Sequence, residues 1–311
     1  MVGVDVALAD LGGVWRRTLV PEADGSTDRT SSVTWVQGPT LFGDLRQPAG
    51  LDAAVGASPL RDLDHHQLLA LCGQRAFAGT LQQDGEAFSW VRRIDLHPTA
   101  PLPDTGTLRW EEGVLVEEGL HEAYLEHWER IGGPPAAPAA ALLEDPQDGC
   151  TGLLVRAGSW FCYARDRYAP LPMPLVSLVE QVGGCDRRAQ GAALLDCEVS
   201  VGRVRAGRWE IVRSTLPHRV GTDLAPEWNR TGDKLRIRDA DRDGRPHPRD
   251  WQPVQAEGPV RALTAGDARA RNRTPGAVVT DSQGGSAASR PGTRRSWWLS
   301  RTRRTAQSAR R

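Results

Sequence analysis

The sequence is short of lysine, of long apolar runs and of the common nucleotide and nucleophile signatures. Lys234 is the one lysine among 39 basic side chains. Arginine is thus the default cation, a usage that fits a GC-rich coding bias rather than selection for bidentate pairing, and its abundance carries no argument for nucleic acid. No apolar run reaches the roughly 18 residues of a membrane helix. The opening Met-Val-Gly-Val-Asp-Val lacks the basic stretch and apolar core of a signal peptide. Five cysteines, Cys72, Cys150, Cys162, Cys185 and Cys197, make an odd number without the close pairs of a zinc site. Together these absences predict a soluble, cytoplasmic protein whose thiols stay free. There is no Gly-x-Ser-x-Gly elbow, no Gly-x-x-x-x-Gly-Lys phosphate loop and no Gly-x-Gly-x-x-Gly opening a helix. Cys185 follows a predicted short helix, whose C-terminal dipole raises a thiol pKa and so argues against a reactive cysteine.

What is present is a meander. Short alternating runs separated by turn residues predict strands at 14–20, 32–37, 40–46, 75–82, 86–95, 106–111 and 113–119. Asp84-Gly85 marks a hairpin, because both residues tolerate positive φ. One helix interrupts the series, with Ser58 as N-cap, Pro59 in its first turn, an apolar stripe of Leu63, Leu68, Leu69 and Cys72, and Gly73 as its stop. Residues 120–131 fit either a helical or a strand face, with strand preferred. The prolines within 132–141 predict a loop or linker. Strands resume at 152–157, 160–165, 196–204, 208–214, 233–238 and 251–255, with a short helix at 174–182. About thirteen strands exceed what one eight-stranded barrel needs. Residues 1–260 therefore form a mainly β, antiparallel body, either one enlarged barrel or two sub-barrels divided near 132–149.

The formal net charge of zero hides an asymmetry. From Arg261 to Arg311 twelve arginines stand against Asp267 and Asp281, which leaves about −10 for residues 1–260. Segment 265–311 is otherwise Ala, Gly, Ser, Thr and Pro, too poor in apolar residues to offset its ordering entropy, and is expected to be a disordered arginine-rich tail. It reads as a nucleic-acid arm, as a membrane-surface anchor through Trp297 and Trp298, or, with most weight, as text without function such as an altered reading frame yields.

Leu11-Gly12-Gly13-Val14-Trp15 opens the first strand, and Gly-x-Trp at that place resembles the opening of lipocalins and related calycin barrels. The resemblance implies a closed antiparallel barrel whose tryptophan shuts one end under an arginine from a late strand. Trp209-Glu210-Ile211-Val212-Arg213 offers such an arginine, so a cation–π contact of Arg213 on Trp15 is expected. Typical lipocalins are shorter, secreted and disulfide-bonded, so the chain is more similar to the intracellular lipocalin-like group, which includes ligand carriers and proteins without assigned function.

Charged residues on apolar strand faces supply the candidate site. Phe88, Trp90, Arg92 and Ile94 share one face, Phe42, Asp44 and Arg46 a second, and Leu115, Glu117 and Gly119 a third. If these faces point inward, Trp15, Trp90, Arg92, Glu117, Tyr124 and Arg213 line a cavity for a small amphipathic or hydrophobic ligand. The plainer reading pairs Arg92 with Asp44 or Glu117 as structural ions. An enzyme using paired acids is the rival, with Asp44, Glu117, Glu126 and Tyr124 as its candidates. A third reading is a calcium-binding or structural interaction protein. Asp239, Asp241, Asp243 and Asp250 carry EF-hand spacing, but two prolines, three arginines and flanking strands speak for an ordinary turn. His121 and His127 lack a third metal ligand, and His65 and His66 read as surface residues.

Overall fold

The computed structural model describes residues 6–21, 27–28, 31–131 and 137–266. The arginine-rich segment lies outside the described residues from 267 onward.

The meander closes on itself. Strands β1 (Gly13–Pro21), β3 (Ser32–Gln37), β4 (Leu41–Gln47), β5 (Arg75–Asp84), β6 (Ala87–Asp95), β7 (Thr105–Glu111), β8 (Val114–Gly119) and β9 (Leu125–Arg130) run antiparallel in chain order. β9 then pairs back onto β1, with Trp15 opposite Arg130. The two-residue strand β2 (Thr27–Asp28) pairs antiparallel with the end of β1. The hairpin at Asp84-Gly85 forms as the sequence predicts, with Gly85 at φ 60°, and the ambiguous 120–131 segment supplies β9.

Period-two alternation divides the barrel wall into two faces. Trp15, Val33, Trp35, Phe42, Phe77, Leu81, Phe88, Trp90, Leu108, Leu115 and Trp128 fill the interior. Val14, Val36, Leu45, Ala76, Ala78 and Ile94 face outward into a second core. Ile94 thus leaves the face it was expected to share with Arg92. The cause is a β-bulge: Ala78 pairs with Ile94 but Gly79 pairs with Arg92, so Arg93 is extra. A Cβ on Gly79 would lie 2.0 Å from the Val91 carbonyl oxygen, so only glycine allows this approach.

A second sheet covers the outer face. Its order is β14 (Arg208–Ser214), β13 (Glu198–Arg205), β12 (Trp160–Arg165), β11 (Thr151–Ala157), β10 (Ala139–Glu144), β17 (Arg249–Glu257), β16 (Leu235–Ile237) and β15 (Glu227–Trp228). Val155, Cys162, Val199 and Val201 pack against the barrel. The opposite face curls over Phe161, Tyr163, Trp209, Ile211 and Trp251. β10 corrects the linker expected over 132–141: Pro138 ends the proline-rich segment, and the alanines that follow pair centrally between β11 and β17. Alanine has little strand propensity of its own, so packing on two cores decides the conformation.

The helix expected from Ser58 is also corrected. The segment holds α1 (Leu51–Val55), a 3-10 turn at Leu60–Asp62 and α2 (His65–Leu71). Asp64 caps α2, accepting from the Gln67 amide while the Gln67 side chain bonds the Asp64 amide. Between β12 and β13 lie α3 (Leu178–Gly183), capped by Ser177, and a second short helix, α4 (Arg188–Leu194).

Gly43 marks a close approach of the two sheets, since a Cβ there would sit 2.3 Å from Cys162 Sγ. Gly43→Ala is expected to destabilise the chain by about 1–3 kcal/mol in urea unfolding. Cys162→Ala in the same chain should recover part of that loss. An unchanged midpoint for the single variant would contradict this packing.

Candidate functional site

The closed end of the barrel is solid aromatic. Trp15 stacks on Trp35 with centroids 5.8 Å apart, and Trp35 meets Trp90 at 6.1 Å and Trp128 at 5.5 Å edge to face. Trp110 adds a tilted contact to Trp15. The 3-10 turn Leu8–Asp10 lies across this end, held where Gln83 accepts from the Leu8 amide and donates to the Val6 carbonyl.

The arginine over Trp15 is Arg130, with its guanidinium carbon 4.2 Å from the ring centroid. Its Nη1 donates to the Gly12 carbonyl at 2.5 Å and its Nη2 to the Asp10 carbonyl at 2.6 Å. Arg213 does not occupy this place; it sits on β14, at the far edge of the second sheet. The chain continues through a whole second sheet after the barrel shuts, so a late strand of the sequence is not the last strand of the barrel.

Above the aromatic layer lies a layer of charges. Alternation from Trp15, Phe42 and Trp128 turns Arg17, Asp44, Arg46 and Glu126 inward. Glu126 Oε1 accepts from Arg17 at 2.9 Å and from Arg46 at 2.8 Å, and Arg46 Nε reaches Asp44 at 2.9 Å. Glu117 stands directly opposite Glu126 across the β8–β9 ladder. It accepts from Tyr124 Oη at 2.8 Å and from Trp128 Nε1 at 2.9 Å. Burial, reinforced by the like charge of Glu126 and opposed by Arg46, pushes the Glu117 carboxyl up to about 8. Burial likewise raises Asp44 against the pull of Arg46. Tyr124 is raised by burial and by the carboxylate of Glu117.

Over this layer opens a cavity of about 550 Å³, lined by side chains that include Arg17, Arg46, Phe77, Arg92, Tyr124 and Glu126. Arg92 pairs with Asp95 at 2.9 Å and Asp104 at 2.6 Å, not with Asp44 or Glu117. It therefore clamps both ends of the segment 96–103, whose Pro98, Leu102 and Pro103 form one wall. Its guanidinium also lies 3.7 Å over the Phe77 ring.

The structure brings Arg92 and Tyr124 of the expected set to one cavity, with Glu117 in the layer beneath. Trp15 is buried at the closed end, Trp90 lines a neighbouring hollow of about 520 Å³ beyond segment 96–103, and Arg213 is elsewhere. Arg17 and Phe77 were not singled out by sequence, although alternation from Trp15 places Arg17 inward. Asp104 carries no sequence signal, because its role depends on where β7 begins.

The four aspartates with calcium-loop spacing do not assemble. Asp239 points into the second sheet, within 3.3–3.6 Å of Arg165, Arg219 and Arg249, and accepts from Tyr163 Oη at 3.0 Å. Asp241 accepts from the backbone amides of Asp243 and Arg245, and Asp250 pairs with Arg236. Among the described residues no group of three or more His, Cys, Asp or Glu is arranged to hold a metal ion. No helix among them is long and apolar enough to cross a membrane.

No protein-family model matches the sequence, and no curated protein matches it. Two solved structures are similar. An uncharacterized protein from Saccharomyces cerevisiae aligns with a TM-score of 0.46 at 12% identity, over 79% of this chain and 98% of its own. A lipocalin-like protein from Bacteroides uniformis aligns with a TM-score of 0.26 at 15% identity, over 39% of this chain and 99% of its own. At these values the assignment rests on the barrel itself. Eight antiparallel strands in up-and-down order, closed between first and last, with a Gly-x-Trp tryptophan under a last-strand arginine, make a lipocalin-like fold.

Proposed function

We propose that this lipocalin-like barrel binds a small amphipathic molecule at its open end and does not turn it over. The polar head group lies against Tyr124, Glu126 and Arg92, and the apolar part lies against Phe77 and the wall of Pro98, Leu102 and Pro103. The observation that carries this reading is the cavity over the charge layer, whose volume of about 550 Å³ falls within the range of small-molecule pockets. The acids of the enzyme reading are engaged in pairs: Asp44 with Arg46, Glu126 with Arg17 and Arg46, and Glu117 with Tyr124 and Trp128. A cytoplasmic location fits five cysteines that are all free.

Titration with the neutral fluorophore N-phenyl-1-naphthylamine tests the proposal. One saturable site is expected, and Arg92→Met, which releases the clamp on Asp95 and Asp104, should weaken it about tenfold, or 1.4 kcal/mol. An absence of saturable binding up to the solubility limit would contradict the reading.

A further inference from the structure

We propose that the barrel mouth selects a cationic amphiphile, an amine or guanidine head group on an apolar tail, and that Glu126 receives the head group. The proposal rests on the reading of the mouth as a ligand site, and it adds the sign of the ligand's charge.

The geometry at Glu126 carries it. The side chain is 6% exposed, lines the cavity, and uses Oε1 for both arginines. Its second oxygen, Oε2, has no hydrogen-bond partner among the described residues. A desolvated acceptor left unmet is costly, and a ligand N–H group is what satisfies it.

The donors of the layer, by contrast, are committed. Arg46 serves Asp44 and Glu126, Tyr124 and Trp128 serve Glu117, and the terminal nitrogens of Arg92 serve Asp95 and Asp104. Among the described residues, the orphan donor there is Arg92 Nε, which belongs to a guanidinium stacked on Phe77 and already paired with two aspartates. An acidic head group would find positive charge that is neutralised in place. Arg75 stands on the exposed rim, away from this floor.

The surrounding field has the same sign. Residues 1–131 hold twenty Asp and Glu against ten Arg, whereas residues 132–260 hold seventeen acidic and seventeen basic side chains. The acidity of the body therefore lies in the barrel half of the chain. From Glu111, at the end of β7, to Glu129 of β9 there are seven glutamates, and the first basic residue after them is Arg130. At the mouth itself Asp95, Asp104, Glu122 and Glu126 match Arg17, Arg46, Arg75 and Arg92, so the acid excess of this half of the chain favours the approach of cations over fatty acids at long range only. Tyr124 adds an aromatic ring, which favours an ammonium or guanidinium group, whereas the Phe77 ring already carries Arg92.

Three probes of one chain length decide the matter: dodecylammonium, dodecanol and dodecanoate, each below its micelle concentration, competing with N-phenyl-1-naphthylamine at pH 7 on the full chain. Dodecylammonium is expected to bind at least about tenfold tighter than dodecanoate. Glu126→Gln, whose amide oxygen still accepts from Arg17 and Arg46, should erase that preference. Because this variant also touches the ion layer, intermolecular nuclear Overhauser effects in the wild-type chain locate the head group independently. Contacts from the first methylene of dodecylammonium to Tyr124 and Glu126 support the assignment, and contacts confined to the rim overturn it. Equal or tighter binding of dodecanoate overturns the charge selection while leaving the mouth a ligand site. Failure of all three probes and of the fluorophore removes the underlying reading and this proposal with it.

Discussion

Glu117→Gln is expected to make the chain more stable above pH 8 and nearly indifferent at pH 5. The folded carboxyl titrates near 8, against 4.5 for an ordinary glutamate. Between those values the unfolded chain has released a proton that the folded chain retains, so stability falls as pH rises through this window. At 1.36 kcal/mol per unit the loss approaches about 5 kcal/mol at full separation, and a few kcal/mol is a fair order of magnitude for a carboxyl so closely coupled to Glu126. Glutamine carries no charge to desolvate, which removes the loss. It keeps one acceptor for Tyr124 or Trp128 and gives up the other, a cost of about 1 kcal/mol that at pH 5 roughly cancels the part of the linkage loss already present there. Urea unfolding of both proteins from pH 5 to 9 measures the difference. Parallel pH profiles would show that Glu117 is ionised in the folded barrel and that the charge layer is wet.

Asp239→Asn is expected to destabilise the second sheet by about 3–5 kcal/mol, the usual consequence of removing one partner from a buried ion pair. Asp239 faces three guanidiniums at once: Arg165 from β12, Arg219 from the turn after β14, and Arg249 from β17. Burial alone would raise its carboxyl, but Arg165 and Arg219 outweigh burial and hold it below the ordinary value. Its stabilisation is therefore present above the unfolded pKa and is lost as pH falls through the folded one. Asparagine keeps the shape but removes the one charge that the three arginines share, leaving Arg165 with Asp196, Arg219 with Glu198 and Arg249 with Asp145 and Asp148. A loss under about 1 kcal/mol in chemical unfolding would mean that the other acids, not Asp239, balance these arginines.

These two sites show where the sequence was legible. The strands of the barrel, the hairpin at Asp84-Gly85 and the inward faces of Asp44, Arg92 and Glu117 follow from period-two alternation, which is a local property. Closure is not local. Nothing in the alternation of Trp209 to Arg213 says that these residues follow a barrel already shut by Arg130, although stepping by twos from Glu126 through Trp128 reaches Arg130 on the same face. The bulge at Gly79 hid the outward turn of Ile94, because one extra residue flips every later side chain. β10 was unreadable for another reason: alanines become a central strand only when two cores supply the burial that their side chains lack. Asp239 was misread because an aspartate in a turn is ordinarily solvated, and three arginines spread over nearly ninety residues draw this one inside.

The most direct test of the mouth as a ligand site is a map of amide chemical-shift changes in the wild-type chain titrated with N-phenyl-1-naphthylamine. Saturable changes should centre on Phe77, Arg92, Tyr124 and Glu126 and leave β14 and the turn at Asp239 to Asp243 unmoved. Saturable changes centred on the second sheet, or none at all, would contradict the account.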